Sequence, residues 1–148
     1  MKTILFLQLP RLDPDVKGPC ENAMLAAECL TAALRRSKES KEWTVLPTPT
    51  CQDTASDAAL LDALAAARPD LVCATCYLWN IERTLAILGK LKRRLSGVRF
   101  FIGGPEISLN HPLLPRRKMV TYVSARYKIG DGPLIACIGE GEPCFAET

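Results

Sequence analysis

The sequence predicts an α/β fold, a five-stranded parallel sheet wound on both faces by helices. Two features of the 148 residues carry this expectation. Short apolar runs without a polar face, suited to strands buried on both sides, alternate with longer Ala- and Leu-rich segments of helical period. The loops rich in Gly, Pro, Asp and Asn follow the apolar runs, where ligands of such sheets bind. The length suits one domain, taken here as residues 1–148.

In chain order, Thr3 to Leu9 reads as the first strand. A Pro-, Asp- and Gly-rich loop runs to Glu21, and Asn22 can cap a helix carrying Ala26, Ala27, Leu30 and Leu34 on one face. Trp43 to Leu46 is a short second strand, ended by Pro47 and Pro49. Ser56 can cap a second helix that stops before Pro69. Leu71 to Cys76 is the third strand. The third helix opens at Asn80, shows Ile81, Leu85, Leu88 and Leu95 at helical spacing, and meets Gly97 as its stop. Val98 to Ile102 and Leu134 to Ile138 are the last two strands. Between them, Asn110 to Asp131 lacks a clear period; Lys118 to Tyr127 fits either a strand or an irregular excursion. A final helix is expected to begin where the sequence ends, at Thr148. Right-handed crossovers and short connections favour the flavodoxin-like strand order 2-1-3-4-5.

Charge and cysteine usage exclude several functions. The net charge is only +3, and the basic residues cluster where helices end (Arg35, Arg36, Lys38; Lys90, Lys92, Arg93, Arg94). Cations there complement the helix dipole, and no nucleic-acid-binding stripe results. The seven cysteines are odd in number, and Cys29, Cys73, Cys76 and Cys137 lie in apolar runs, which points to buried thiols in a reducing, cytoplasmic setting. The apolar start breaks at Pro10 without a small-residue cleavage site, so it reads as a strand rather than a signal peptide. No apolar stretch approaches the ~20 residues of a membrane span.

The candidate site residues lie in the loops after strands. Gly103-Gly104-Pro105-Glu106 removes side-chain bulk at a strand end, which serves either a tight turn or the close approach of a bulky ligand. Gly139-Glu140-Gly141-Glu142 follows the fifth strand; its two carboxylates disfavour a phosphate, so a loop over a neutral or hydrogen-bonding ligand edge fits better. Tyr77 and Trp79 offer flat apolar area, either packed on the sheet or presented to a ligand. Tyr77, Trp79, Gly104 and Glu140 are expected to border one concave site. Cys73 and Cys76 have CxxC spacing but lie within a strand, not at a helix N-terminus, and read as structural. His111 is the only histidine, no GxSxG elbow occurs, and no catalytic or metal-ligating set emerges.

The run PDLVCATCYLWNIERTLAILGKLKRRLSGVRFFIGGPEIS, Pro69 to Ser108, with GEGE at Gly139 to Glu142 and LPRLDPDVKGPCENAMLAAECLTAAL near the start, resembles the N-terminal cobalamin-binding domains of radical S-adenosylmethionine proteins. Such domains carry an aromatic-Trp-Asn turn, then GGPE, then GEGE. The resemblance implies a cobalamin held by Leu12, Asp13, Asp15 and Gly18 in the first loop, and by Thr75, Cys76, Tyr77, Trp79 and Asn80 in the second. Gly103, Gly104, Pro105 and Glu106, then Gly139, Glu140, Gly141 and Glu142, would complete the site. The corrin would lie against Tyr77, Trp79 and the loop from Pro10 to Gly18, with the nucleotide tail near Thr75, Gly103 and Gly104. In cobalamin domains like that of methionine synthase, D-x-H-x-x-G supplies a histidine to cobalt. The matching run, Asp13-Pro14-Asp15-Val16-Lys17-Gly18, has Asp15 in that place, which implies base-off cobalamin without a His ligand. The lower face would be open to water or covered by Leu12 and Tyr77. The family's CxxxCxxC motif is absent from this sequence. The [4Fe–4S] cluster and S-adenosylmethionine would therefore belong to a barrel acting in cis or trans, with methyl transfer the expected reaction. The alternative is a flavodoxin-like module that binds another small ligand or a partner protein.

Overall fold

A computed structural model of the chain describes residues 1–11, 24–49, 56–108, 116–129 and 134–146. Five strands, β1 (Lys2–Leu7), β2 (Trp43–Val45), β3 (Leu71–Thr75), β4 (Arg99–Gly103) and β5 (Leu134–Ala136), form one sheet in the order β2-β1-β3-β4-β5. Every neighbouring pair is parallel. The helices are α1 (Leu25–Arg36), α2 (Asp57–Ala67), α3 (Ile81–Arg94), α4 (Pro105–Ser108), α5 (Arg116–Tyr127) and α6 (Gly141–Ala146), with a 3₁₀ turn at Lys38–Lys41. This is the flavodoxin-like α/β fold that the sequence predicts.

The period-two alternation of the strands explains the layering. Leu5 and Leu7, Val72 and Ala74, and Phe100 and Ile102 face one core, which Leu60 and Leu64 of α2, Leu85 and Leu88 of α3 and Val123 of α5 complete. Ile4 and Phe6, Leu71 and Cys73, and Phe101 face the other, closed by Leu30 and Leu34 of α1 and Phe145 of α6. Register aligns the second set across the sheet: Phe6 pairs with Cys73, Cys73 with Phe101, and Phe101 with Ile135. One row further along, Thr75 pairs with Gly103. At the opposite, amino end, the Thr3 amide and hydroxyl both donate to the Asp70 carboxylate, at 2.7 and 2.9 Å, tying β1 to β3.

Several local expectations are corrected. The Ser56 oxygen does cap α2, accepting the Ala59 N–H at 3.3 Å, whereas Asn22 lies outside the described residues. The stop assigned to Gly97 is made by Leu95, which turns extended after α3 (φ −126°, ψ 90°). Leu9 and Cys76 remain buried but lie beyond their strands, and β5 ends at Ala136 rather than Ile138. Residues 116–127 form a helix, neither a strand nor an excursion. Val, Thr and Tyr in this segment favour strands intrinsically; packing of Val123 and Tyr127 against the α2–α3 face overrides that preference. The last helix begins at Gly141, well before Thr148, with Pro143 near its start where the missing N–H costs no intrahelical bond. Pro105 likewise opens α4, so half of each Gly-Glu-rich run is helical rather than loop.

Candidate functional site

A cleft with a free volume of about 200 Å³ opens at the carboxyl ends of β1, β3, β4 and β5, between the sheet and helices α1 and α6. Its floor follows from register. Phe6, Cys73 and Phe101 stand side by side on adjacent strands. Phe145 packs beneath them, edge-on to Phe101 at 5.4 Å between ring centroids and 73° between planes, and 6.3 Å from Phe6. Met24, Ala27 and Leu30 form the α1 wall.

The space above this floor exists because the next row is small. It comprises Thr75, Gly103 and Cys137. A Cβ on Gly103 would meet only the Cys137 Cβ, at 3.8 Å, so the cleft occupies the place a side chain would take. Gly104 is glycine for another reason. Its φ is +107°, and a Cβ there would come within 2.6 Å of the Cys76 carbonyl oxygen and 3.0 Å of the Cys76 nitrogen. That close approach accompanies the Cys76 N–H donating to the Gly103 carbonyl at 2.7 Å, which joins the ends of β3 and β4. Gly139 also has positive φ, +91°, but faces open space.

Tyr77 lies at the rim, half-buried, and Trp79 stacks on it with centroids 4.6 Å apart and planes 3° from parallel. Trp79 is 54 % exposed, so the pair presents a flat aromatic face to solvent beside the cleft. Asn80 holds this turn. It is 1 % exposed; its side-chain oxygen accepts the Tyr77 N–H at 2.8 Å, and its amide donates to the carbonyls of Leu9 (2.9 Å) and Thr75 (3.2 Å). One amide thus ties the chain after β1, the end of β3 and the aromatic turn together. Both its donors are engaged, and Asn80 positions the rim rather than facing a ligand.

The two CxxC cysteines point to opposite faces of the sheet. Cys73 lies on the cleft side and Cys76 in the other core. Burial pushes the Cys73 thiol up, and burial followed by the negative charge of Glu106 pushes Cys76 up to about 12. Neither is a nucleophile at neutral pH. The Cys137 thiol donates to the Glu140 carbonyl at 3.5 Å, folding the chain after β5 back over the cleft. Among the described residues no lysine or arginine lines the cleft, and Glu142 is the acidic residue at its edge. Among the same residues, no three His, Cys, Asp or Glu side chains gather to hold a metal ion, and no helix is long and apolar enough to cross a membrane.

Of the residues singled out from the sequence, Thr75, Tyr77, Gly103, Gly104, Gly139, Gly141 and Glu142 meet around this cleft. Trp79 joins through its stack on Tyr77 rather than by lining. Cys76 and Asn80 are buried behind the rim, and the exposed Pro105, with Glu106, lies in α4 away from the lining. The Glu140 side chain is exposed and only its backbone turns toward Cys137, so the expected border of Tyr77, Trp79, Gly104 and Glu140 is half formed. Leu12, Asp13, Asp15, Gly18 and His111 lie outside the described residues. Sequence reasoning missed Phe6, Phe101, Met24 and Leu30, which resemble any core residue. Alternation along β1, β3 and β4 marks the first two as facing the same side as Gly103, and that was the available signal. No protein-family model matches the chain, and no curated protein is significantly similar to it in sequence.

Proposed function

We propose that this domain binds a cobalamin at the carboxyl edge of its sheet, with the nucleotide tail in the cleft and the corrin against the Tyr77–Trp79 face. In this reading it serves a radical S-adenosylmethionine barrel present in cis or trans. The observation that carries the reading is the cleft's size and outlet. Sites for whole small ligands typically span about 300–1,000 Å³, and this one, about 200 Å³, has room for one arm of a larger ligand whose remainder would lie outside. The outlet is flat and aromatic, which suits a broad apolar macrocycle. Fold alone does not choose among ligands; the joint presence of an arm-sized slot and an exposed stacked rim favours this one.

When bound, such a cofactor supplies a cobalt centre for methyl transfer. The chain's own contribution is placement. Gly103 leaves room for the tail, Gly104 lets the ends of β3 and β4 close beside it, Phe6 and Phe101 exclude water beneath it, and Asn80 fixes the aromatic turn that would support the ring. The sequence offers His111 as its only imidazole, so cobalt is read as base-off without a protein nitrogen.

The exposed Leu78 (77 %) and Trp79 favour a second reading, a partner protein docked on the same rim. Mixing the protein with hydroxocobalamin, desalting it and recording its visible spectrum separates the two. Corrin bands that elute with the protein in stoichiometric amount support the proposal; a colourless protein fraction overturns it.

A further inference from the structure

We infer that the amino end of the sheet, opposite the cleft, carries a second binding site, one that takes a small zwitterion such as a free α-amino acid. The site is independent of the corrinoid reading. A groove with a free volume of about 320 Å³ opens there, between the turn from α2 into β3 and the turn from α3 into β4. That volume falls within the about 300–1,000 Å³ typical of sites for whole small ligands. The groove's two sides are fastened in place. The Arg99 N–H donates to the Asp70 carbonyl at 2.9 Å, which joins the two turns, and the Lys92 ammonium donates to the carbonyls of Ser96 and Val98.

Residues of both charges line this groove: Arg68, Asp70 and Arg94. The Thr3 amide and hydroxyl both donate to Oδ2 of Asp70 and keep the carboxyl ionised at neutral pH, while Oδ1 accepts from no described residue. Arg94 gives one nitrogen to Asp62, and the Arg68 side chain has no ion-pair or hydrogen-bond partner among the described residues. Guanidinium groups with free donors favour a carboxylate. Helices α2 and α3 both end here, and their negative dipole ends join Asp70 in favouring an ammonium over a purely anionic ligand. Pro69 and Val98, both buried, give apolar area for a short side chain. The backbone adds a separate observation. Arg68 ends α2 in the left-handed region, with φ 48° and ψ 51°. Glycine is the usual residue in that conformation. An arginine there carries a conformational cost that glycine would not, and strain of this kind clusters where a side chain serves a site.

The test is a chemical-shift titration of the whole chain by nuclear magnetic resonance with L-alanine, L-leucine and L-methionine, and with the deaminated and the decarboxylated analogue of each. Saturating shifts at the backbone amides of Arg68, Asp70 and Ser96 are expected. The tightest amino acid should bind about ten- to hundred-fold more strongly than either of its analogues, the range set by losing one charge-assisted hydrogen-bonded partner. No saturable shift with any of the amino acids overturns the inference. So does a deaminated analogue that binds as tightly as its parent, since the groove is then a plain anion site. Arg68→Gly supplies a second arm that does not risk the fold. Its unfolding midpoint should lie at or above that of wild type, because the left-handed strain is gone, while affinity falls by the same factor. Asp70→Asn, which keeps an oxygen for Thr3 and removes the charge, should weaken binding likewise. Unchanged affinity in a folded Arg68→Gly protein overturns the assignment.

Discussion

Alanine at Gly104 and alanine at Gly103 should differ sharply in stability although the residues are adjacent. At Gly104 two penalties combine. The φ of +107° is a conformation that L side chains rarely adopt, and the new Cβ would lie 2.6 Å from the Cys76 carbonyl oxygen. Backbone of this kind costs roughly 1–2 kcal/mol for a non-glycine residue, and forcing atoms into a packed site costs typically about 1–3 kcal/mol more. Cys76 cannot retreat freely, because its N–H and carbonyl are bonded to the Gly103 carbonyl and the Glu106 N–H. The sum, about 2–5 kcal/mol, is a large part of a typical domain stability of about 5–15 kcal/mol. At Gly103 the nearest atom to a Cβ is 3.8 Å away, an ordinary contact. Replacing a strand glycine by alanine there removes unfolded-state freedom and should leave stability unchanged or raise it by up to about 1 kcal/mol. Urea unfolding followed by far-ultraviolet circular dichroism measures both, with the slope checked for constancy. Equal midpoints for the two variants, or a Gly104→Ala midpoint equal to wild type, would refute the geometry assigned to the β3–β4 edge.

Three further outcomes are expected. Gly89→Ala should destabilise the protein by about 1–3 kcal/mol in urea unfolding, because its Cβ would sit 2.0 Å from the Tyr127 carbonyl oxygen where α3 crosses α5; the gain of about 1 kcal/mol in helix propensity is smaller, and a net stabilisation would contradict that crossing. The Thr3 amide, then the Thr3 hydroxyl, hold the Asp70 carboxyl below its ordinary range. Its contribution is thus full above the unfolded value of about 4 and lost as pH falls through the lower folded value; Asp70→Ala should flatten the acid limb of stability against pH, and an unaltered limb would assign it to other carboxylates. Finally, electron paramagnetic resonance of the cobalt(II) form should lack nitrogen superhyperfine splitting. Splitting that vanishes in His111→Ala would identify a histidine ligand, and splitting that persists would identify the cofactor's own base.

Much of the fold was legible because burial on both faces leaves a direct record. Ile4 and Phe6 alternate with Leu5 and Leu7 without a polar face, and only a sheet covered on both sides explains that. Residues 116–127 were not legible, because Val120, Thr121, Tyr122 and Val123 carry strand preference and the helix depends on its fit against Gly89 of α3. The site divides in the same way. Its upper edge shows in the sequence as glycines and aromatics after strands. Its floor does not, since Phe6 and Phe101 serve the core and the cleft with the same atoms. Asn80 was visible as a helix opener, but its link to Leu9, 71 residues away in sequence, requires the third dimension.

The central claim is that the space over Gly103 receives part of a corrinoid. Gly103→Val tests it most directly, since its methyl groups would project into the cleft while its Cβ meets only the ordinary 3.8 Å contact with Cys137. The account predicts that wild type retains hydroxocobalamin through desalting, and that Gly103→Val, with an unfolding midpoint close to wild type, loses it. Undiminished retention by a folded Gly103→Val protein would place the ligand elsewhere and contradict the account.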